Sequence, residues 1–139
     1  MRFMIIIKSS PESETGIMPN DTLFNAMADY HGELCRAGVL LDASGLHASS
    51  RGWRIRFDGK DRVVTDGPFT ETKELIAGFT IIQVRSREEA MEWARRYPNP
   101  RGEGMDAEIE VRQMIELADF PESPAIERFR AMEAAQTQH

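Results

Sequence analysis

The sequence is short of several things, and each shortage removes a class of explanation. It has one cysteine, Cys35, among 139 residues. No disulfide can form within the chain, and the count fits a reducing, cytoplasmic compartment. Long apolar runs are missing too. The run at the start, Phe3 to Ile7, ends at Lys8. It is too short for a secretory signal core or a bilayer span, so no membrane partner is expected. Basic residues are in the minority, with 17 Lys and Arg against 23 Asp and Glu, for a net charge of −6. Phosphate backbones need a basic face, so nucleic acid is not an expected partner. There is no glycine-rich phosphate loop and no nucleophile elbow. Of the 3 histidines, the two internal ones, His31 and His47, have no near-spaced metal-binding partner. No metal and no cofactor is called for.

What is present builds a core. The length and the 41% hydrophobic content fit one domain around one core. Phe3 to Ile7 reads as a strand buried on both faces. Pro11 to Pro19 reads as a polar loop. Asn20, Asp21 and Thr22 offer N-cap chemistry, and Phe24, Met27, His31, Leu34 and Cys35 follow at helical spacing. Gly38 supplies a C-terminal stop, so a helix is predicted over Asp21 to Ala37. Val39 to Leu41 restarts as a strand and breaks near Ser44 and Gly45.

Trp53 to Phe57 alternates cleanly. Trp53, Ile55 and Phe57 point one way, Arg54 and Arg56 the other. Asp58, Gly59 and Lys60 turn the chain into Arg62 to Thr65, which makes a hairpin. Ala77 to Val84 reads as the next strand. Ser86 and Glu89 have capping-box spacing, Ala90, Trp93, Ala94 and Tyr97 keep helical spacing, and Pro98 ends that helix. Pro98 to Gly104 reads as a loop and Ala107 to Ile115 as the last strand. Residues 1–120 are expected to form the domain. Residues 121–139 are expected to be an extension, with a weak helix over Ala125 to Ala135 and a frayed end from Gln136 to His139.

The order of elements is a ferredoxin-like β-α-β-β-α-β pattern with an extra hairpin, an α+β architecture. Both helices fall on one face of an antiparallel sheet. The other face carries apolar residues as well, and a second copy of the chain is the economical cover. A homodimer is therefore expected.

The chemistry-bearing stretch is Val64 to Phe79. Asp66-Gly67-Pro68-Phe69 reads first as a turn. Asp accepts backbone hydrogen bonds, Gly and Pro set the geometry, and Phe69 anchors it in the core. Asp66 reads second as a carboxylate lining a cleft, able to serve as general acid or base. Glu71, Lys73 and Glu74 form a dense charge cluster. Glu71 and Glu74 would repel, so a compensating charge is required, and Arg54 and Arg56 are the candidates. That cluster is either a structural ion network or a ligand-facing one. His31 lies on the helical stripe and reads as a hydrogen-bonded core residue or a catalyst. His47 follows Gly45-Leu46 near a strand end, where sites collect. Cys35 reads as buried and inert. Trp53 and Trp93 read as core or interface residues.

Asp66-Gly67-Pro68-Phe69, Glu71, Lys73, Glu74 and Gly78-Phe79 resemble the YCII-related family, in its DGPF-domain branch. So do Ala37-Gly38-Val39-Leu40, Gly45-Leu46-His47, Glu88-Glu89-Ala90, Trp93-Ala94, Tyr97-Pro98-Asn99-Pro100 and Glu108 to Arg112. The resemblance covers about Met1 to Phe120. It implies a ferredoxin-like unit forming a dimeric α/β barrel. It also implies a group credited with enzymatic character through a His–Asp pair, its reaction unassigned. Asp66 fits the aspartate, and either His31 or His47 the histidine. The resemblance further implies an association with extracytoplasmic-function sigma factors. Two functions follow as expectations. One is a dimer that binds or converts a small polar or anionic ligand. The other is a non-catalytic regulatory module in a sigma-factor pathway, docking through residues 125–135.

Overall fold

The computed structural model describes residues 1–137. Its larger sheet has four antiparallel strands: β1 (Arg2–Lys8), β2 (Leu40–Gly45), β5 (Ile76–Gln83) and β6 (Ile109–Gln113), in the order β2-β5-β1-β6. A separate two-stranded ribbon pairs β3 (Trp53–Asp58) with β4 (Asp61–Asp66). The helices are α1 (Pro11–Glu14), α2 (Asp21–Arg36), α3 (Arg87–Arg95) and α4 (Pro124–Thr137). The architecture is α+β. The four-stranded sheet is open, with β2 and β6 at its edges, and does not close into a barrel.

One face of the sheet carries the core. Phe3 and Ile5 of β1 pair across to Ile82 and Thr80 of β5, and all four are buried. Tyr30 and Leu34 of α2 and Ala90 of α3 pack onto the same cluster, with Trp93 and Tyr97 at its margin. Both helices therefore cover this one face. The opposite side of the same strands, including Met4, Ile6, Phe79 and Ile81, is half-buried.

The helix ends follow local chemistry. Asn20 caps α2 by accepting from the Leu23 N–H at 2.9 Å. At the other end the Val39 N–H reaches the Leu34 carbonyl and the Gly38 N–H the Cys35 carbonyl. This is a Schellman turn, and it requires the positive φ of 73° at Gly38. Its apolar pair is Leu34 and Val39, both in the core. Ser86 caps α3 through the Glu89 N–H, and the Glu89 carboxylate returns to the Arg85 N–H.

Several expectations need correction. The Pro11 to Pro19 loop contains a helical turn, α1, because Ser10 and Ser13 form a capping box with Pro11 at the first position. The buried stripe of α2 is Tyr30 and Leu34, whereas Phe24 is 65% exposed and Cys35 is exposed. Strand β2 runs on through Ser44 to Gly45, with a bulge between Leu40 and Asp42. The ribbon forms the expected hairpin, with Ile55 opposite Val64, yet every residue in it is exposed. In α4 only Ile126 is buried, and Phe129 and Met132 are exposed. Of the end expected to fray, Gln136 and Thr137 close α4, and 138 and 139 lie outside the described residues.

Leu34 is fully buried at the junction of helix, Schellman turn and sheet. Leu34→Ala is expected to cost about 2–5 kcal/mol, the range for a buried Leu truncation. Urea unfolding should show this as a lower midpoint with an unchanged slope.

Candidate functional site

The candidate residues separate into two groups. The first surrounds a knot at the base of the ribbon. A turn of 3-10 helix, Ser49–Arg51, precedes β3, and the Gly67-Pro68-Phe69 segment follows β4. These two segments lock together. The Gly67 N–H donates to the Gly52 carbonyl at 3.0 Å, and the Phe69 N–H to Ser49 Oγ at 2.9 Å. Ser49 is held in turn by Glu14 of α1, whose carboxylate accepts from the Ser49 N–H at 3.0 Å and from its hydroxyl at 2.5 Å. The Gly67–Pro68 peptide is cis. A Cβ on Gly67 would sit 1.9 Å from the Ser49 carbonyl oxygen, so only glycine permits this approach.

Charged side chains ring the knot. The Arg54 guanidinium lies 3.8 Å from the Phe69 ring centroid and reaches Glu71 at 3.3 Å. The compensation expected for Glu71 is thus supplied by Arg54. The Glu71 carboxyl lies below its ordinary pKa, through its own backbone N–H first and Arg54 second. His47 follows β2, and its ring meets the Arg51 guanidinium at 3.2 Å. Asp66 ends β4, one residue before the knot, and is exposed. Arg56, Lys73, Glu74 and Asp66 make no side-chain hydrogen bond or ion pair among the described residues. Arg54 and Glu71 are therefore joined at the knot, while Asp66, the cross-strand partner of Trp53, lies on the opposite face of the ribbon from Arg54.

The second group lies beneath the helices. His31 Nδ1 is 2.7 Å from the Met27 carbonyl and Nε2 is 2.9 Å from Thr80 Oγ1. Thr80 Oγ1 is 3.2 Å from the Tyr97 hydroxyl. A carbonyl only accepts, so Nδ1 carries the proton. For a neutral ring the rest of the direction is fixed: Thr80 donates to Nε2, and Tyr97 donates to Thr80. Tyr30 donates to the Trp93 carbonyl at 2.7 Å and meets the rings of His31, Tyr97 and Trp93 edge-on. Burial pushes the Tyr30 and Tyr97 hydroxyls above their ordinary pKa, so both remain donors at neutral pH. Both ring nitrogens of His31 are used. No hydrogen bond joins Asp66 to His31 or His47 among the described residues.

Concave surface lies elsewhere. A depression of about 600 Å³ is bordered by Gly38, Gln83, Arg85 and Glu89, and one of about 180 Å³ by Tyr97, Asn99 and Glu108. Neither includes Asp66, His31 or His47. Among the described residues no group of three His, Cys, Asp or Glu is placed to hold a metal ion. None of their helices is long and apolar enough to cross a membrane.

Sequence reading missed Ser49, Glu14, Thr80 and Tyr30. Glu14 and Ser49 are 35 residues apart in the chain and His31 and Thr80 are 49 apart, so no local spacing marks either pair. Tyr97 was legible only as a helical position.

A family model described as the YCII-related domain matches residues 1–115, and the chain belongs to that family. An uncharacterized protein of Rhizobium meliloti (strain 1021) is 29% identical over 85 residues, covering 61% of this chain and 68% of that one.

The Gly67 contact gives a direct test. Gly67→Ala must displace the Ser49 backbone and is expected to destabilise the protein by about 1–3 kcal/mol. Faster amide exchange at Phe69 should accompany it. Gly45→Ala, where an added Cβ meets nothing within 4 Å, is the control and should leave both unchanged.

Proposed function

We propose that this YCII-related protein, of the DGPF branch, is a homodimer of ferredoxin-like units that binds or converts a small polar or anionic ligand beside the ribbon-base knot. The strand order β2-β5-β1-β6 and the two helices on one face support the ferredoxin-like reading. The observation that carries the ligand reading is the charge distribution at the knot. Arg54 is held there by Phe69 and Glu71, Arg56 follows on the same face of β3 with no ion pair among the described residues, and Asp66 stands on the other face beside Trp53. A fixed guanidinium next to a free one is suited to an anionic group, which arginine binds through paired N–H donors. Asp66 would accept from a ligand hydroxyl or amine, and His47 would supply the second titratable group. Lys73 and Glu74 would form the rim. In this reading His31 is a positioning residue for the core and not a ligand contact, because both its ring nitrogens are bonded within the chain.

A second reading has one specific observation behind it. Helix α4 runs 14 residues with Ile126 buried and Phe129 and Met132 about half exposed. A helix with an uncovered apolar pair is suited to docking on a partner, which the regulatory role in a sigma-factor pathway would require.

The two readings separate experimentally. Inorganic phosphate, citrate and acetate should be titrated in a thermal-shift assay. Binding raises the melting temperature with concentration by mass action. At least one of the three is expected to do so, with the shift reduced in Arg56→Ala and Asp66→Asn. A shift that those variants leave intact would remove the knot from the ligand site. For the regulatory reading, a pull-down from cell extract should lose a specific partner when residues 121–139 are deleted. An unchanged set of partners would end it.

A further inference from the structure

The two-stranded ribbon is the part of this molecule that cannot be explained by the chain on its own. It pairs with no strand of the four-stranded sheet, and every residue of β3 and β4 is exposed. A lone hairpin is marginally stable in water at best. Yet this one places Trp53, Ile55, Phe57 and Val64 on one face, by alternation along β3 and by the pairing of Ile55 with Val64. Their exposures are 64, 47, 65 and 60%. The Arg62 guanidinium lies 4.3 Å from the Phe57 ring centroid and covers only part of that ring's surroundings. By contrast, the uncovered side of the main sheet is only half-buried and holds no residue this open among Met4, Ile6, Phe79 and Ile81. Leu41 of β2 and Ile76 of β5 are open as well, and the ribbon carries the larger share of exposed apolar surface.

From this we infer that the ribbon is a dimerisation arm. Residues Trp53–Asp66 lie across a second copy of the same chain, with the Trp53, Ile55, Phe57 and Val64 face against that copy. The inference deepens the homodimer of the proposed function and rests on it.

Two arguments favour a second copy as the occupant. The first is area. Aromatic side chains carry about 150–250 Å² each, so Trp53 and Phe57 at their exposures offer roughly 200–300 Å² of open surface. A stable interface takes about 800 Å² from each partner. In a two-fold pair each copy gives its own arm and also the surface that the other arm covers. The patch is then used twice, and with Ile55 and Val64 added it approaches the required area. The second argument is charge. The ribbon has four basic residues, Arg54, Arg56, Lys60 and Arg62, against three acidic ones, Asp58, Asp61 and Asp66, in a chain whose net charge is −6. Of these, Arg62 and Asp66 share the docking face through their pairing with Phe57 and Trp53, so that face carries one charge of each sign, which suits a self-complementary two-fold contact.

Docking of the arm has a consequence for the knot. His47, Arg54, Asp66 and Glu71 lie around the base of the ribbon, and none of them borders either of the two depressions described above. A second copy laid along the Trp53 face would cover Asp66, the cross-strand partner of Trp53, and leave Arg54 and Arg56 on the open face of the ribbon.

The test is the mass of the full chain by size exclusion with multi-angle light scattering over a dilution series. Wild-type protein is expected at twice the 15.8 kDa chain mass. The Trp53→Glu, Phe57→Glu double variant is expected near one chain mass, with an unchanged far-ultraviolet circular dichroism spectrum. Phe129→Glu on α4 should stay dimeric. A folded double variant that remains dimeric overturns the arm and leaves the homodimer standing. A wild-type monomer at every concentration overturns both. Should the double variant fail to fold, hydrogen exchange on the wild-type protein decides. Amides of Trp53–Asp66 that lose protection on dilution support the arm, and amides whose exchange is independent of concentration overturn it.

Discussion

Thr80 is the buried polar residue of this fold, on a central strand, at zero exposure between Ile5 and the helices. A hydroxyl buried there without a hydrogen bond would cost about 1–3 kcal/mol. His31 of α2 and Tyr97 beyond α3 meet the requirement from opposite sides. One hydroxyl therefore ties both helices to β5 and fixes the rotation of α2. That rotation brings Tyr30 and Leu34 into the core and turns Phe24 and Cys35 out. The edge-on rings of Tyr30, His31, Tyr97 and Trp93 fill the remaining space, a geometry aromatic pairs prefer.

The knot at the ribbon base is a second polar construction, with different physics. It is built from backbone donors and one carboxylate. Glu14 orients Ser49, and Ser49 receives Phe69. A related pairing steadies the same α1 region. Glu12 meets Arg101 at 2.8 Å, and this contact, followed by the Glu12 backbone N–H and Ser10, holds its carboxyl at a pKa of about 2. Around the knot Arg54 and Glu71 hold one another, while Asp66, Lys73 and Glu74 make no side-chain bond among the described residues. His31, by contrast, is committed within the core.

Much of the frame could be read before any coordinates. The Asn20 cap, the Gly38 stop, the Ser86 cap and the Asp58-Gly59-Lys60 turn each depend on residues within a few positions of one another, and each is found where the spacing put it, although the Glu89 half of the expected capping box goes to the Arg85 N–H instead. The α1 turn was missed although its Ser10–Ser13 box is local, and the other errors arose where the deciding contact was distant. The apolar positions of α2 span a wide arc, and only Thr80, 49 residues beyond His31, selects which edge faces inward. Cys35 read as buried because it shares that arc. The ribbon read correctly as a hairpin, but alternation states which side chains share a face and not what covers the face.

The candidate site divides along the same line. The Asp66-Gly67-Pro68-Phe69 turn, the need for an arginine opposite Glu71, and the two candidate histidines came from residue chemistry alone. The sequence by itself determined the local conformations, the α+β class and the residue types available for binding, because these follow from dihedral preference, periodicity and charge. Tertiary structure decided that Arg54 is the arginine used and that His47 and Asp66 flank one knot while His31 belongs to another network. It also decided that Gly67 is held against the Ser49 carbonyl. Those outcomes depend on contacts between segments that only folding brings together, so no short-range pattern could have encoded them visibly.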